Sequence, residues 1–295
     1  MLRGKSVADR DSLDVQLAGR SVATETGPPG PLVYRILGPL EVGSENNPLT
    51  PTAPKIRAVL ALFTLRHDRL VQTWELVDEL WDGAPPRSAH STLQTYIYKL
   101  RRLLGQLSGD TEVLQTRTHG YLAAIPADQI DFCRFERLAA DGRAALGRGD
   151  PATAADICGQ ALALWRGPAL AAVMGGRQLH AHAVRLEEER LRTLETRIGA
   201  DLLLGRHRMV IGELMELTRT QLVHEGFCRQ LMIALYRSER RSEALAEYRR
   251  LRRLMIDEFA LEPGPRMQQV HRALLSQDVP ADAVLPDLNL WRAAV

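Results

Sequence analysis

Between residues 84 and 105 the chain reads APPRSAHSTLQTYIYKLRRLLG, and one set of its side chains stands out chemically. Ser91, Gln94, Thr95, Tyr98 and Arg102 recur at helical spacing, flanked by Thr92, Lys99 and Arg101. On a helix they share one face. That face offers hydroxyl, amide and guanidinium groups and no carboxylate. Such groups hydrogen-bond base edges and phosphate oxygens, and the lack of acid removes repulsion from a polyanion. An ordinary solvated helix face can carry the same residue types, so the surrounding elements must decide between the two.

The positioning elements start with the opposite side of the same helix. Leu93, Ile97, Leu100 and Leu104 form an apolar stripe, with Tyr96 and Leu103 on its edge. Pro85 and Pro86 mark the entry loop, Ser88 is placed as the N-cap and Gly105 as the stop. Upstream, residues 32–42 (LVYRILGPLEV) read as a strand kinked at Gly38-Pro39, turning over 43–48 into a second short strand. Ile56, Val59, Leu60, Phe63 and Leu70 then predict a buried helix with a short extended exit. Thr73 is expected to cap a second helix, TWELVDELW, with Leu76, Val77, Leu80 and Trp81 facing inward. Downstream, VLQTRTHGYLAAI reads as a hairpin turning near Thr118-His119-Gly120. Three helices closed by a hairpin predict a winged helix-turn-helix. The third helix would enter a major groove, and the wing would bring Arg117, Thr118, His119 and Tyr121 toward backbone or minor groove. Arg87 and Ser88, at the helix entry, join the candidate DNA-binding set.

From residue 131 the strand signals vanish, and Ala, Leu, Arg and Glu dominate to about residue 276. The segments 147–154 (GRGDPATA), 205–211 (GRHRMVI) and 238–244 (SERRSEA) hold matching places between paired helices. The last two are 33 residues apart, a tetratricopeptide-like period. Ala154, Ala155 and Ala244 would let paired helices approach, while Leu235, Leu245, Tyr248 and Leu251 would fill the space between pairs. LEPGP at 261–265 breaks the array before a closing helix. The expected fold is therefore mainly α with a small β component. Residues 1–31 are assigned to a disordered extension, 32–127 to the winged helix, 128–277 to the helical repeats and 278–295 to a tail.

Composition bounds the function further. At 295 residues there is room for two domains, and a net charge of +2 means that any basic surface is local. Cys133, Cys158 and Cys228 match no zinc spacing or disulfide framework, and are expected as buried thiols in a cytoplasmic protein. There is no apolar run of membrane-spanning length and no secretion signal. Eight histidines are scattered, Met174-Gly175-Gly176 reads as a turn, and there is no G-x-S-x-G or phosphate loop. No enzyme, metal or cofactor is expected.

Taken together, YRILGPLEV, KIRAVLAL, ELVDELWDGAPPRSAHSTLQTYIYKLRRLLG and THGYLAAIP resemble the OmpR-type winged helix of the Streptomyces antibiotic regulatory protein family. ALALWRGPAL, LEEERLRTLETRIGADL and LMIALYRSERRSEALAEYRRLRRLMIDEFALEPGP resemble that family's bacterial transcriptional activation domain. The resemblance covers about residues 32–276. It implies an activator, pathway-specific for antibiotic biosynthesis, binding direct repeats near a −35 element as a homodimer on DNA. It also implies recruitment of RNA polymerase with its sigma factor through the loop Trp81, Asp82, Ala84, Pro85, Pro86 and Arg87. Two departures stand out: a long lead before the first strand, and no proline after His224, where the family commonly has one. A protein-interaction scaffold and a repressor on the same DNA-binding fold remain as alternatives.

Overall fold

The computed structural model describes residues 32–44, 47–109 and 112–276. The expected N-terminal extension and C-terminal tail lie outside the described residues. The chain forms two compact units. Among the described residues, one joins those up to Arg134 with Trp165–Glu187; the other joins Phe135–Leu164 with those from Glu188 onward.

The first unit opens with an antiparallel sheet of β1 (Val33–Arg35), β2 (Glu41–Ser44) and β3 (Asn47–Leu49), in that order. The single kinked strand expected over 32–42 is instead two strands, with Tyr34 opposite Val42. Gly38, at φ +142°, permits the reversal, and a Cβ there would also sit 3.0 Å from the Arg166 Cβ. Next, α1 (Pro54–Leu65) buries Ile56, Val59, Leu60 and Phe63. Leu70 does not share that burial: it starts β4 (Leu70–Gln72) and is 42% exposed. After α2 (Thr73–Trp81) and α3 (Ala89–Ser108) come β5 (Leu114–Arg117) and β6 (Gly120–Ala123), giving a second sheet in the order β4-β6-β5.

Residues from far along the sequence complete this unit. Asp131, at the start of α4 (Asp131–Gly147), is buried and accepts hydrogen bonds from the backbone N–H groups of Ile36 (2.9 Å) and Leu37 (3.0 Å). Burial pushes its pKa up, while those hydrogen bonds and the charge of Arg166 pull the other way. The segment after α5 (Pro151–Leu162) docks on the β1–β2 turn. Arg166 N donates to Leu37 O (2.8 Å), Leu170 N to Ile36 O (2.9 Å) and Ala171 N to Gly38 O (3.0 Å). The Arg166 guanidinium meets Glu41 at 2.8 Å and the Pro39 carbonyl at 3.0 Å.

From Phe135 onward, leaving aside 165–187, the helices pack as successive hairpins: α4 meets α5 where Gly142 lies against Cys158, α6 (Arg177–Leu203) meets α7 (His207–Thr220) through Arg197 and Glu213, and α8 (Glu225–Arg237) packs on α9 (Arg241–Phe259), before α10 (Pro265–Leu275). The three hairpin turns share one closure. Gly149, Gly205 and Glu239 adopt left-handed φ values of 80°, 75° and 65°. The next residue in each case donates back five positions: Asp150 N to Ala145 O (3.0 Å), Arg206 N to Asp201 O (2.9 Å) and Arg240 N to Leu235 O (2.9 Å). This six-to-one bond is the Schellman stop, and it accounts for the matching places these segments hold in the sequence. Ala154, Ala244, Leu235 and Leu251 are buried as expected. Without the family's proline, α8 still begins at Glu225. His224 Nδ1 accepts from Phe227 N at 3.2 Å, and the two rings stack 4.1 Å apart.

Cys158 and Cys228 are buried free thiols whose pKa values burial pushes up to about 11 and about 12. Cys133 is only half-buried, with its sulfur 3.4 Å from His67 Nε2.

Replacing Asp131 by Ala leaves two buried N–H groups without an acceptor and should cost about 2–4 kcal/mol in urea denaturation. The wild-type carboxyl has its pKa raised by burial, so its contribution is full below the unfolded-state pKa and declines as pH rises through the folded one. Asp131→Ala should therefore lose most at the acid end of the carboxylate range. A flat pH dependence of the difference would contradict this.

Candidate nucleic-acid interface

The third helix is held by its apolar stripe. Leu93, Ile97, Leu100 and Leu104 are buried, and α3 packs on both α1 and α2. The face opposite is the one that carries the polar set. Ser91, Gln94, Thr95, Tyr98 and Arg102 are exposed; Thr92, Lys99 and Arg101 are half-buried at its margins. Tyr98 is 66% exposed, unusual for a large aromatic ring without a partner to cover it. The Ser91 and Thr95 hydroxyls donate back to Ser88 O (2.9 Å) and Ser91 O (3.1 Å), which leaves their oxygens free to accept from outside.

The ends of this helix differ from expectation. Ser88 occupies the N-cap position, but its side chain makes no capping bond, and the first turn holds no acid. The N-terminal N–H groups thus keep their positive end toward solvent, beside exposed Arg87 and Ser88. At the other end Gly105 does not stop the helix. Gly109 does, at φ 72°, donating its N–H to Gly105 O at 3.0 Å. Gly105 is tolerated inside because four further residues continue the i to i−4 ladder.

The wing is fixed to both helices. Gln72, rather than Thr73, is the N-cap of α2, and its N–H donates to Glu75 Oε2 at 2.9 Å. Thr73 is already helical; its N–H and hydroxyl both donate to His119 O, at 2.9 and 3.1 Å, and so pin the tip of the wing. His119 itself adopts φ 65° between β5 and β6, where Arg117 pairs with Gly120. Arg117, Thr118 and His119 are exposed and Tyr121 is half-buried. The Arg117 guanidinium donates to Gln115 Oε1.

Arg101 is tied into the fold. Its Nε donates to Leu114 O (2.8 Å) and its terminal nitrogen to Thr116 Oγ1 (2.6 Å). It clamps α3 to β5 and sets the angle between helix and wing. Sequence spacing placed it only at the edge of the polar face and carried no sign of this clamp. Trp74 is a second residue the periodicity passed over. It is 65% exposed at the start of α2, because it falls off the buried line of Leu76, Val77 and Leu80.

The loop between α2 and α3 holds Asp82 at φ 47° and Gly83 at φ 77°. Asp82, Ala84, Pro85, Pro86 and Arg87 are all exposed. Trp81 is half-buried rather than fully inward. Its ring lies 4.8 Å beneath Lys55 Nζ, which also donates to Leu80 O.

Comparison with known proteins finds two families along the chain. Residues 46–123 match the family described as transcriptional regulatory protein, C terminal, and residues 130–275 match the bacterial transcriptional activator domain. The regulatory protein DnrI of Streptomyces peucetius is 40% identical over 259 residues, which span 86% of this chain and 95% of that protein. The transcriptional regulator RedD of Streptomyces coelicolor is 34% identical, over 88% of this chain and 78% of that protein. The regulatory protein AfsR of the same organism is 37% identical, but this chain spans only 25% of its length. A solved structure of Mycobacterium tuberculosis EmbR, in complex with a low affinity phosphopeptide, superposes with a TM-score of 0.81 at 31% identity. It covers 88% of this chain and 69% of that one.

Gly120 shows how tightly the wing is seated. A Cβ there would lie 2.3 Å from Val71 O, a backbone atom of the neighbouring strand β4. Gly120→Ala should cost about 1–3 kcal/mol in chemical denaturation through overpacking. An unchanged midpoint would mean that the wing moves away from β4 without penalty.

Proposed function

We propose that this chain, which belongs to the Streptomyces antibiotic regulatory protein family of transcriptional regulators, activates transcription by laying α3 in the major groove of its operator. The observation that carries this reading is the acid-free, solvent-facing side of α3, flanked by the exposed end of the wing. Gln94 and Tyr98, at the middle of that side, meet base edges. Arg102, Lys99 and Arg117 meet phosphates, helped by Ser91, Thr92 and Thr95 and, at the helix entry, by Arg87 and Ser88. Thr118, His119 and Tyr121 belong to the wing's approach to the backbone. Arg101 acts through the clamp it makes rather than by touching DNA.

Two copies bind head to tail on direct repeats near a −35 element, and the exposed loop from Trp81 to Arg87 meets RNA polymerase and its sigma factor. The targets are genes of secondary-metabolite biosynthesis, and the protein works in the cytoplasm on the nucleoid. The named relatives that are regulators support the class of function. The stiff, outward-facing Pro85-Pro86 pair supports a preorganised contact loop.

Gln94→Ala should weaken binding to the preferred site by about 1–3 kcal/mol and leave binding to random duplex nearly unchanged. Arg102→Ala should weaken both and reduce the salt dependence by about one counterion. Mobility-shift titrations over a salt series read both effects. Equal losses on both DNAs for Gln94→Ala would remove it as a base reader.

Spacing tests the arrangement on DNA. Inserting about half a helical turn, roughly 5 bp, between the two repeats should abolish cooperative binding, while a full turn should spare part of it. Cooperativity that ignores spacing in footprinting would reject the head-to-tail pair.

A further inference from the structure

The loop after α2 does not stand alone on its side of the first unit. Residues 174–180 lie against the C-terminal end of α2, almost a hundred positions later in the chain. Gly176 approaches so closely that a Cβ would come within 2.8 Å of Glu79 O. Glu79 is 5% exposed, and its two carboxylate oxygens accept from the N–H groups of Gln178 (2.9 Å) and Leu179 (3.1 Å). A side chain of α2 thus caps the first turn of α6, with both of its oxygens engaged there.

Beside this junction lies a cavity of about 670 Å³, lined among others by Lys55, Leu80, Asp82, Met174, Arg177 and His180. Met174 is 76% exposed, a long apolar side chain standing in solvent at the rim. Arg177 is 82% exposed and lies a loose 3.8 Å from Asp78. The basic side chains at the rim are Lys55, whose Nζ lies over the Trp81 ring and donates to Leu80 O, and the exposed Arg177 and His180, while Glu79 is engaged by backbone N–H groups. Asp82, at the loop end, is the other acid of the lining.

We infer that this cavity and the loop from Trp81 to Arg87 form one docking surface for a partner protein. The occupant is a short amphipathic segment that inserts a large apolar side chain beside Met174 and Leu80. Its acidic residues face Lys55, Arg177 and His180. This rests on the reading of the loop as the polymerase-facing element, and it adds residues 174–180 to that element. A DNA duplex fits the surface poorly: it has no long apolar side chain to fill the concavity. An exposed methionine suits a protein partner, because its flexible thioether adapts to the shape presented.

The test uses the full chain on a template carrying its operator, with purified polymerase holoenzyme. Met174→Ser, Arg177→Glu and Asp82→Ala are compared for activated transcription, DNA affinity and melting temperature. The expected result is a roughly tenfold loss of activation in both Met174→Ser and Arg177→Glu, with DNA affinity and melting temperature unchanged. Loss in Asp82→Ala with full activation in the other two would overturn the composite surface and leave the loop reading standing. Full activation in all three would overturn both. Loss in Met174→Ser alone would overturn the acidic character of the partner. A parallel loss of DNA affinity in Arg177→Glu would make the occupant nucleic acid and overturn the proposal.

Discussion

Burial of Leu93, Ile97, Leu100 and Leu104 is the constraint on which the candidate interface depends. Each fully buried aliphatic side chain of this kind is worth about 1.5–3 kcal/mol, so the stripe strongly disfavours rotation of α3 about its axis. With rotation fixed, the residues at the complementary positions must face solvent. The polar side needs no further device to keep it outward. What remains to be set is the angle to the wing, and two polar clamps do that: Arg101 to Leu114 and Thr116, and Thr73 to the His119 carbonyl.

The same unit is closed by residues that a linear division would give to the second half. Asp131, Arg166 and the 165–171 segment satisfy the backbone of the β1–β2 turn. Glu79 in turn satisfies the start of α6. A fragment ending near residue 127 would expose the turn's carbonyl and N–H groups and leave Glu79 without its two donors. The functional helix-turn-helix is therefore not a self-contained stretch of sequence. It shares its polar bookkeeping with the region that matches the activator domain.

The second unit achieves regularity by repeating one local solution. Each hairpin ends in the same left-handed residue and the same six-to-one bond, whether the residue is glycine, as at 149 and 205, or Glu239. Small residues such as Ala154 and Ala244 permit close approach within a pair, and Leu235 and Leu251 fill the core. The helix α8 shows how tolerant this design is. Its start survives without the customary proline, because His224 supplies both a cap and a stacked ring.

The sequence by itself determined much of what depends on neighbours three, four or five residues away, but not the exact helix ends: Gln72 caps α2 in place of Thr73, and Gly109 ends α3 in place of Gly105. The amphipathic register of α3, the wing turn at Thr118-His119, the breaks between helical pairs and the closing helix were all legible, since local periodicity and turn chemistry encode them. The resemblance of the motifs extended that reading to the family. Only the tertiary structure decided the matters settled between distant residues. It folded residues 32–42 into two strands because Gly38 reverses beneath Arg166. It turned Arg101 from a flanking cation into a clamp, left Leu70 in solvent, and assigned Trp165–Glu187 to the first unit. Apart from the Gly38-Pro39 break, these leave no local signature. A buried carboxylate that caps a backbone N–H ninety-five residues away is, in sequence, an ordinary aspartate at a helix start.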